Sequence, residues 1–128
     1  MIYKESWLNI IDNTNIRNIK VFHLYKGFHR KVSYPGFFVK GCARVVEPPR
    51  IEYKGFKYKF YIKGDICRLL IIRANRLRFN KDRSSIRFNN NSAIVIKKKN
   101  EPKGKFFNGP IQRSINRRKM LTLFKSVL

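Results

Sequence analysis

The chain has 128 residues, and its 30 Lys and Arg against 7 Asp and Glu give a formal net charge of +23. It is also 43% hydrophobic and 14% aromatic, which excludes a disordered basic tail, because disorder of that kind needs low hydrophobicity as well as high charge. No stretch of about 18 uncharged apolar residues occurs, which excludes a membrane-spanning helix. A folded body this cationic repels itself unless a polyanion neutralises it, and nucleic acid, whose phosphates release counterions on binding, is the expected partner.

Met1 to Asp12 already reads as a strand; it lacks the apolar centre of a secretory signal and carries Lys4, Glu5 and Asp12, and it does not have the Ser/Arg-rich character of an organellar presequence. Residues 18 to 25 (NIKVFHLY) are β-branched and aromatic, as strands are. A basic loop from Lys26 to Lys31 follows, and Pro35-Gly36 marks a turn. Residues 37 to 47 (FFVKGCARVVE) form the next predicted strand, with Gly41 as the site of a bulge or bend and Pro48-Pro49 as its stop.

Residues 53 to 63 (YKGFKYKFYIK) alternate, with Phe56, Tyr58, Phe60 and Ile62 on one face and Lys57, Lys59, Tyr61 and Lys63 on the other. The aromatic face is expected to be core rather than a base-stacking platform, because any half-buried strand alternates in this way. Ile66 to Ala74 is a core strand whose run Leu69 to Ile72 is closed by Arg68 and Arg73. Arg76 to Phe79, Ile86 to Phe88 and Ala93 to Ile96 are short strands around turns at Asn80-Lys81-Asp82 and Asn89 to Asn91. Short strands at this spacing predict a mainly β chain built as a small β-barrel.

Lys97 to Phe107 is a basic loop. Gly109-Pro110 is expected to open a helix, since Pro suits the first helical position. Ile111, Ile115, Met120, Leu123, Phe124 and Val127 then recur at helical spacing, with Arg113, Arg117 and Arg118 largely off that stripe. One or two short C-terminal helices packing on the barrel are predicted. The length fits a single domain, 1–128, with the barrel over about 1–97 and the basic loop and helices over about 98–128.

Catalysis has little support. The acids are scattered, and no His-Glu-x-x-His, nucleophile elbow or phosphate-loop pattern occurs. His23 and His29 read as structural or phosphate-facing residues, and Cys42 and Cys67 as small apolar strand residues. No catalytic residue, metal site or cofactor is expected. Nucleic-acid contacts are instead expected from Lys97, Lys98, Lys99, Lys103 and Lys105 in the basic loop and from Arg113, Arg117 and Arg118 in the tail. Lys26, Arg30, Lys31 and Arg44 come next. RNA is favoured over DNA because no helix-turn-helix, zinc-finger or basic-zipper pattern appears. Two alternatives remain: a free-standing β-barrel that binds single-stranded nucleic acid, and a nuclease or RNA-modifying enzyme.

Residues 82 to 96 (DRSSIRFNNNSAIVI) carry an aromatic, an Asn three further on and an aliphatic pair, Phe88, Asn91, Ile94 and Val95. This resembles the signature of the universal large-subunit ribosomal protein L-fourteen family. Four other stretches resemble the family in register: the opening MIYKESWLNIIDNTNIR, IKGDICRLLIIR, NEPKGKFFNGPI and the closing RSINRRKMLTLFKSVL. The resemblance implies a five-stranded barrel with a small C-terminal helical region. It implies binding to large-subunit ribosomal RNA near the subunit interface, contact with neighbouring large-subunit ribosomal proteins, and bridges to small-subunit ribosomal RNA. Arg83 and Asn15 stand where the family usually has Gly, so both are candidates for positive φ. The stretch 48 to 61 is longer and more aromatic than bacterial-type counterparts. Heavy use of Ile, Asn, Lys, Phe and Tyr with scarce Ala suggests an AT-rich genome. Together with the bacterial-type pattern this points to a protein made inside a mitochondrion, the alternatives being a plastid-type organelle or an AT-rich bacterium.

Overall fold

Strand alternation, rather than helix, organises this chain. The computed structural model describes residues 1–48, 60–115 and 117–128. In chain order these form β1 (Trp7–Ile10), β2 (Ile16–His23), β3 (Phe38–Val46), β4 (Ile66–Arg73), β5 (Arg78–Phe79), β6 (Ser85–Ile86), β7 (Ser92–Ile96) and one helical turn, α1 (Arg118–Leu121). Five strands close a barrel in the order β1-β2-β3-β4-β7. Neighbours are antiparallel except β1 and β7, whose parallel pairing, Asn9 opposite Ser92 and Ile10 opposite Ala93, shuts the barrel and leaves it no free edge.

The bore is filled by aliphatic side chains, among them Leu8, Ile19, Val21, Leu69, Ile71 and Val95. β3 contributes little volume to it: its inward positions are Val39, Gly41 and Ala43. A Cβ at Gly41 would lie 2.3 Å from Ile19 Cγ2 and 3.0 Å from the Lys20 carbonyl. The bulge expected at Gly41 sits across from it. β2 places Val21 opposite Gly41 and His23 opposite Lys40, so the extra residue is Phe22.

A second apolar layer lies outside the barrel. Leu70 and Ile72 of β4 and Ile94 and Ile96 of β7 face Phe107, Ile111, Ile115, Met120 and Phe124 of the C-terminal segment. β4 is thus buried on both faces, which is why Leu69 to Ile72 reads as an unbroken apolar run, all four at 0% exposure. Burial of each such side chain contributes about 1.5–3 kcal/mol.

Several expectations are corrected. Pro110 does not open a helix. Ile111 pairs with Val127 in a parallel bridge instead, a turn closed by the Ile115 N–H on the Gln112 carbonyl follows, and the helical turn begins only at Arg118. β5 and β6 lie outside the barrel as a separate two-stranded ribbon. Arg83 does adopt a positive φ, 69°, in the turn of that ribbon, a conformation costing about 1–2 kcal/mol in a residue with a Cβ. Asn15 does not. Its side chain donates to the Glu47 and Tyr61 carbonyls at 3.1 and 2.7 Å and accepts from the Tyr61 N–H at 3.0 Å. Most of the alternating stretch 53–63 lies outside the described residues. In its described end Ile62, expected inward, is 69% exposed, while Tyr61 packs against the barrel core. Cys42 and Cys67 occupy consecutive pairing positions on adjacent strands, Gly41 lying opposite Cys67, so their side chains take opposite faces, both as free thiols. Burial pushes the Cys67 thiol up to about 12.

Asp12 fastens the barrel seam. The parallel ladder runs from the Asn9 and Ile11 N–H groups to the Asn91 and Ala93 carbonyls, at 3.0 and 3.2 Å. The Ile11 carbonyl, next in line for the Val95 N–H, is taken by the Asn108 N–H at 3.1 Å. Val95 donates instead to Asp12 Oδ2 at 3.0 Å, and Oδ1 accepts from the Thr14 N–H and hydroxyl. Burial holds this carboxyl above its ordinary 3.8, against the hydrogen bonds from Thr14 and Val95 and the nearby Lys103 cation, which pull it down.

Two outcomes are expected. Gly41→Ala should lower the unfolding free energy by about 1–3 kcal/mol, read from urea midpoints, because the bore has no room for a methyl group; an unchanged or higher midpoint would contradict that. Asp12→Asn leaves one acceptor where there were two and should cost about 1–3 kcal/mol at neutral pH. Because folding raises the Asp12 pKa, the protonation-linked part of its contribution is complete below 3.8 and is lost as pH rises through the folded value. The gap between parent and Asp12→Asn should therefore shrink as pH is raised; a gap that grows would mean that the fold prefers the ionised form.

Candidate nucleic-acid interface

Strand direction decides where the basic loops emerge. β2 begins beside the end of β3, and β7 ends beside the start of β4. The loop that follows β7 therefore leaves one end of the barrel, and the β2–β3 connection leaves the other. The predicted site residues divide accordingly.

At the first end, β7 runs into a hairpin. The Lys97 N–H donates to the Glu101 carbonyl at 2.7 Å, the Asn100 N–H donates to the Lys97 carbonyl at 3.1 Å, and Ile96 bridges Pro102. Asn100 takes φ 60°, the left-handed residue that such a short turn demands and that Asn tolerates. Lys97, Lys98 and Lys99 all stand in solvent at the tip. The return strand is seated on the barrel seam. A Cβ at Gly104 would lie 2.7 Å from both Asp12 Cβ and Asn13 Oδ1, and the Lys105 N–H donates to that same Oδ1 at 2.9 Å. Lys105 points outward. Lys103 turns inward, its Nζ 4.3 Å from the Tyr61 ring centroid, where it serves the barrel mouth. Arg44, on the outer wall of β3, is exposed.

At the opposite end, Lys26 and Lys31 are exposed in the β2–β3 connection. Tyr25 and Lys26 both adopt left-handed backbone, φ 60° and 57°, which ends β2 sharply two residues earlier than its composition predicts. Arg30 lies over the Phe37 ring at 4.5 Å.

The C-terminal arm lies along the outer wall over β4 and β7. Arg113 and Arg118 are exposed. Arg117 sits 4.3 Å from the Phe38 ring centroid, and Arg68 of β4 sits at the same distance from the same ring. Arg68 and Arg76 (over Tyr34 at 4.8 Å) were not legible as site candidates, because nothing in strand alternation says which cation finds an aromatic neighbour. Stacking of this kind fixes a guanidinium plane while leaving its N–H edge free to bind phosphate.

Charge pairing within the chain absorbs little of this. Arg17 pairs with Glu47 at 2.6 Å and Lys20 with Glu5 at 2.5 Å, and seven acids cannot neutralise thirty cations in any arrangement. Among the described residues no group of three or more His, Cys, Asp or Glu converges as metal ligands do. The arrangement is a closed barrel with cationic projections at both ends and along one wall, a distribution that phosphates would neutralise.

The chain matches the model of the ribosomal protein L14p/L23e family over residues 1–127. The match spans the barrel seam at Asp12, the lysine hairpin and the C-terminal arm alike. The chain belongs to the ribosomal protein L14p/L23e family, proteins of the large ribosomal subunit that bind ribosomal RNA.

Proposed function

We propose that this chain is a structural, non-catalytic constituent of the large subunit that stands near the subunit interface. Its Lys97-Lys98-Lys99 tip and the exposed arginines of the C-terminal arm, Arg113 and Arg118, hold ribosomal RNA by charge and shape. The observation that carries the reading is the braced lysine hairpin: three exposed cations on a turn whose stem is locked to the barrel by Asp12, Asn13 and Gly104. Ordering such a tip before binding lowers the entropy lost when it meets RNA. Phosphate contacts set position there, and specificity comes from the folded shape of the RNA more than from base edges.

From the family resemblance we infer bridge contacts with small-subunit RNA across the interface, and from a residue usage that suggests an AT-rich genome a mitochondrial ribosome as the setting. The barrel and the arm share β4 and β7 as a common wall, which supports reading the chain as one domain.

The test is charge reversal at the tip. Lys97→Glu, Lys98→Glu and Lys99→Glu together should leave the fold intact, because all three side chains are exposed. They should reduce incorporation into large subunits, or joining of those subunits into whole ribosomes, several-fold on a sucrose gradient. Normal large-subunit and whole-ribosome peaks containing the triple variant would refute the assignment of this loop. Fractionation of the tagged parent protein with purified mitochondria checks the setting; recovery only from cytosolic ribosomes would refute it.

A further inference from the structure

A second recognition element lies away from the lysine hairpin. The β2–β3 connection, the β4–β5 connection, β5 and the C-terminal arm together line an open groove of about 640 Å³, inside the range of about 300–1,000 Å³ that accepts small planar ligands. Tyr34, Phe37, Leu77 and Phe79 are among its lining residues. Phe79 is 71% exposed and Leu77 48%, so a large apolar surface faces solvent there with nothing in the described chain to cover it.

The groove is also cationic. Arg76 lines it with its guanidinium over the Tyr34 ring at 4.8 Å, Arg30 lies over the Phe37 ring at 4.5 Å, and no acidic residue lines it. Gln112 contributes to the lining although only 3% exposed, and its Nε2 is buried without a hydrogen-bond partner among the described residues. A buried amide donor left unmatched is costly, and Gln112 is a residue of the groove's own lining.

These features specify the occupant. It has a flat face to stack on Tyr34, Phe37 or Phe79, an acceptor atom for Gln112, and negative charge for Arg76. A peptide segment supplies an acceptor from any backbone carbonyl, but it meets the first demand only with an aromatic side chain and the third only if acidic. An unpaired nucleotide has all three by construction: a base, its carbonyl or ring-nitrogen acceptors, and its phosphate. We propose that this groove binds a single unpaired nucleotide of the large-subunit RNA, its base stacked on the aromatic side chains and hydrogen-bonded to Gln112 Nε2. The proposal rests on the RNA-binding reading above and adds to it a site that reads a base rather than a phosphate chain.

A photocrosslinker tests it. The full-length chain carrying Phe79→p-benzoylphenylalanine is assembled into large subunits, irradiated, and its adducts mapped by reverse transcription and by mass spectrometry. One dominant adduct on a nucleotide outside any helix is expected. Phe79→Ala, at an exposed position that leaves folding untouched, should weaken binding of the full-length chain to purified large-subunit RNA about fivefold or more, as loss of one base–aromatic stack does. Gln112→Leu should raise the reactivity of that same nucleotide to base-specific probes while the particle still forms. Adducts on a neighbouring protein, adducts spread over base-paired RNA, or no adduct in particles that contain the chain would each overturn the groove assignment and leave the ribosomal reading standing. Absence of the parent chain from large subunits would overturn both.

Discussion

Five strands enclose too little space for a large side chain on every wall. Gly41 and Ala43 therefore line β3 while Ile19, Leu69 and Ile71 fill the bore from β2 and β4. The same shortage of interior volume forces the chain to build a second apolar layer outside, where Leu70, Ile72, Ile94 and Ile96 meet the C-terminal arm. β4 and β7 serve both layers, so the barrel fixes the arm, and through the seam at Asp12 it also fixes the hairpin that follows β7. A small protein gains support for its core in this way with both cysteines free.

The charge distribution follows from that construction. With the bore and its outer layer filled by aliphatic and aromatic groups, the cations are expelled to loop tips, to the outer wall and to the faces of aromatic rings. Some are used internally: Lys103 on Tyr61, and Arg68 and Arg117 on Phe38. The remainder, with Lys97, Lys98, Lys99 and Lys105 at one end and Lys26 and Lys31 at the other, have no counter-charge of comparable number in the chain. Such a body is adapted to a surrounding that supplies phosphates from more than one direction, as the interior of a ribonucleoprotein does.

Much of this was legible in the sequence. β3, β4 and β7 could be read almost to the residue, because β4 and β7 carry unbroken apolar runs, β3 is rich in β-branched and aromatic residues, and Pro48 and Gly64 punctuate them. The family could be read from Phe88, Asn91, Ile94 and Val95 together with four other stretches in register. Three things could not be read. The closure of β1 on β7 joins segments some eighty residues apart, and no local pattern records it. The tail kept helical spacing from Ile111 to Val127 yet folded as a series of turns around one helical turn, because bridge pairing of Ile111 with Val127 outweighed a weak local preference. The inward turn of Lys103 and the burial of Gln112 depend on tertiary neighbours, and a lysine bound for a phosphate looks the same in sequence as one bound for a tyrosine ring.

The central claim is that exposed lysines on a preformed hairpin neutralise RNA phosphates. Salt dependence of binding measures this directly. Affinity of the full-length chain for purified large-subunit RNA, followed over a range of KCl concentrations, gives a slope proportional to the phosphates neutralised, about 0.7–0.9 per contact. Lys97→Gln, Lys98→Gln and Lys99→Gln together should flatten that slope by about 2 to 3 units relative to the parent. A slope unchanged by removing all three charges would contradict the account.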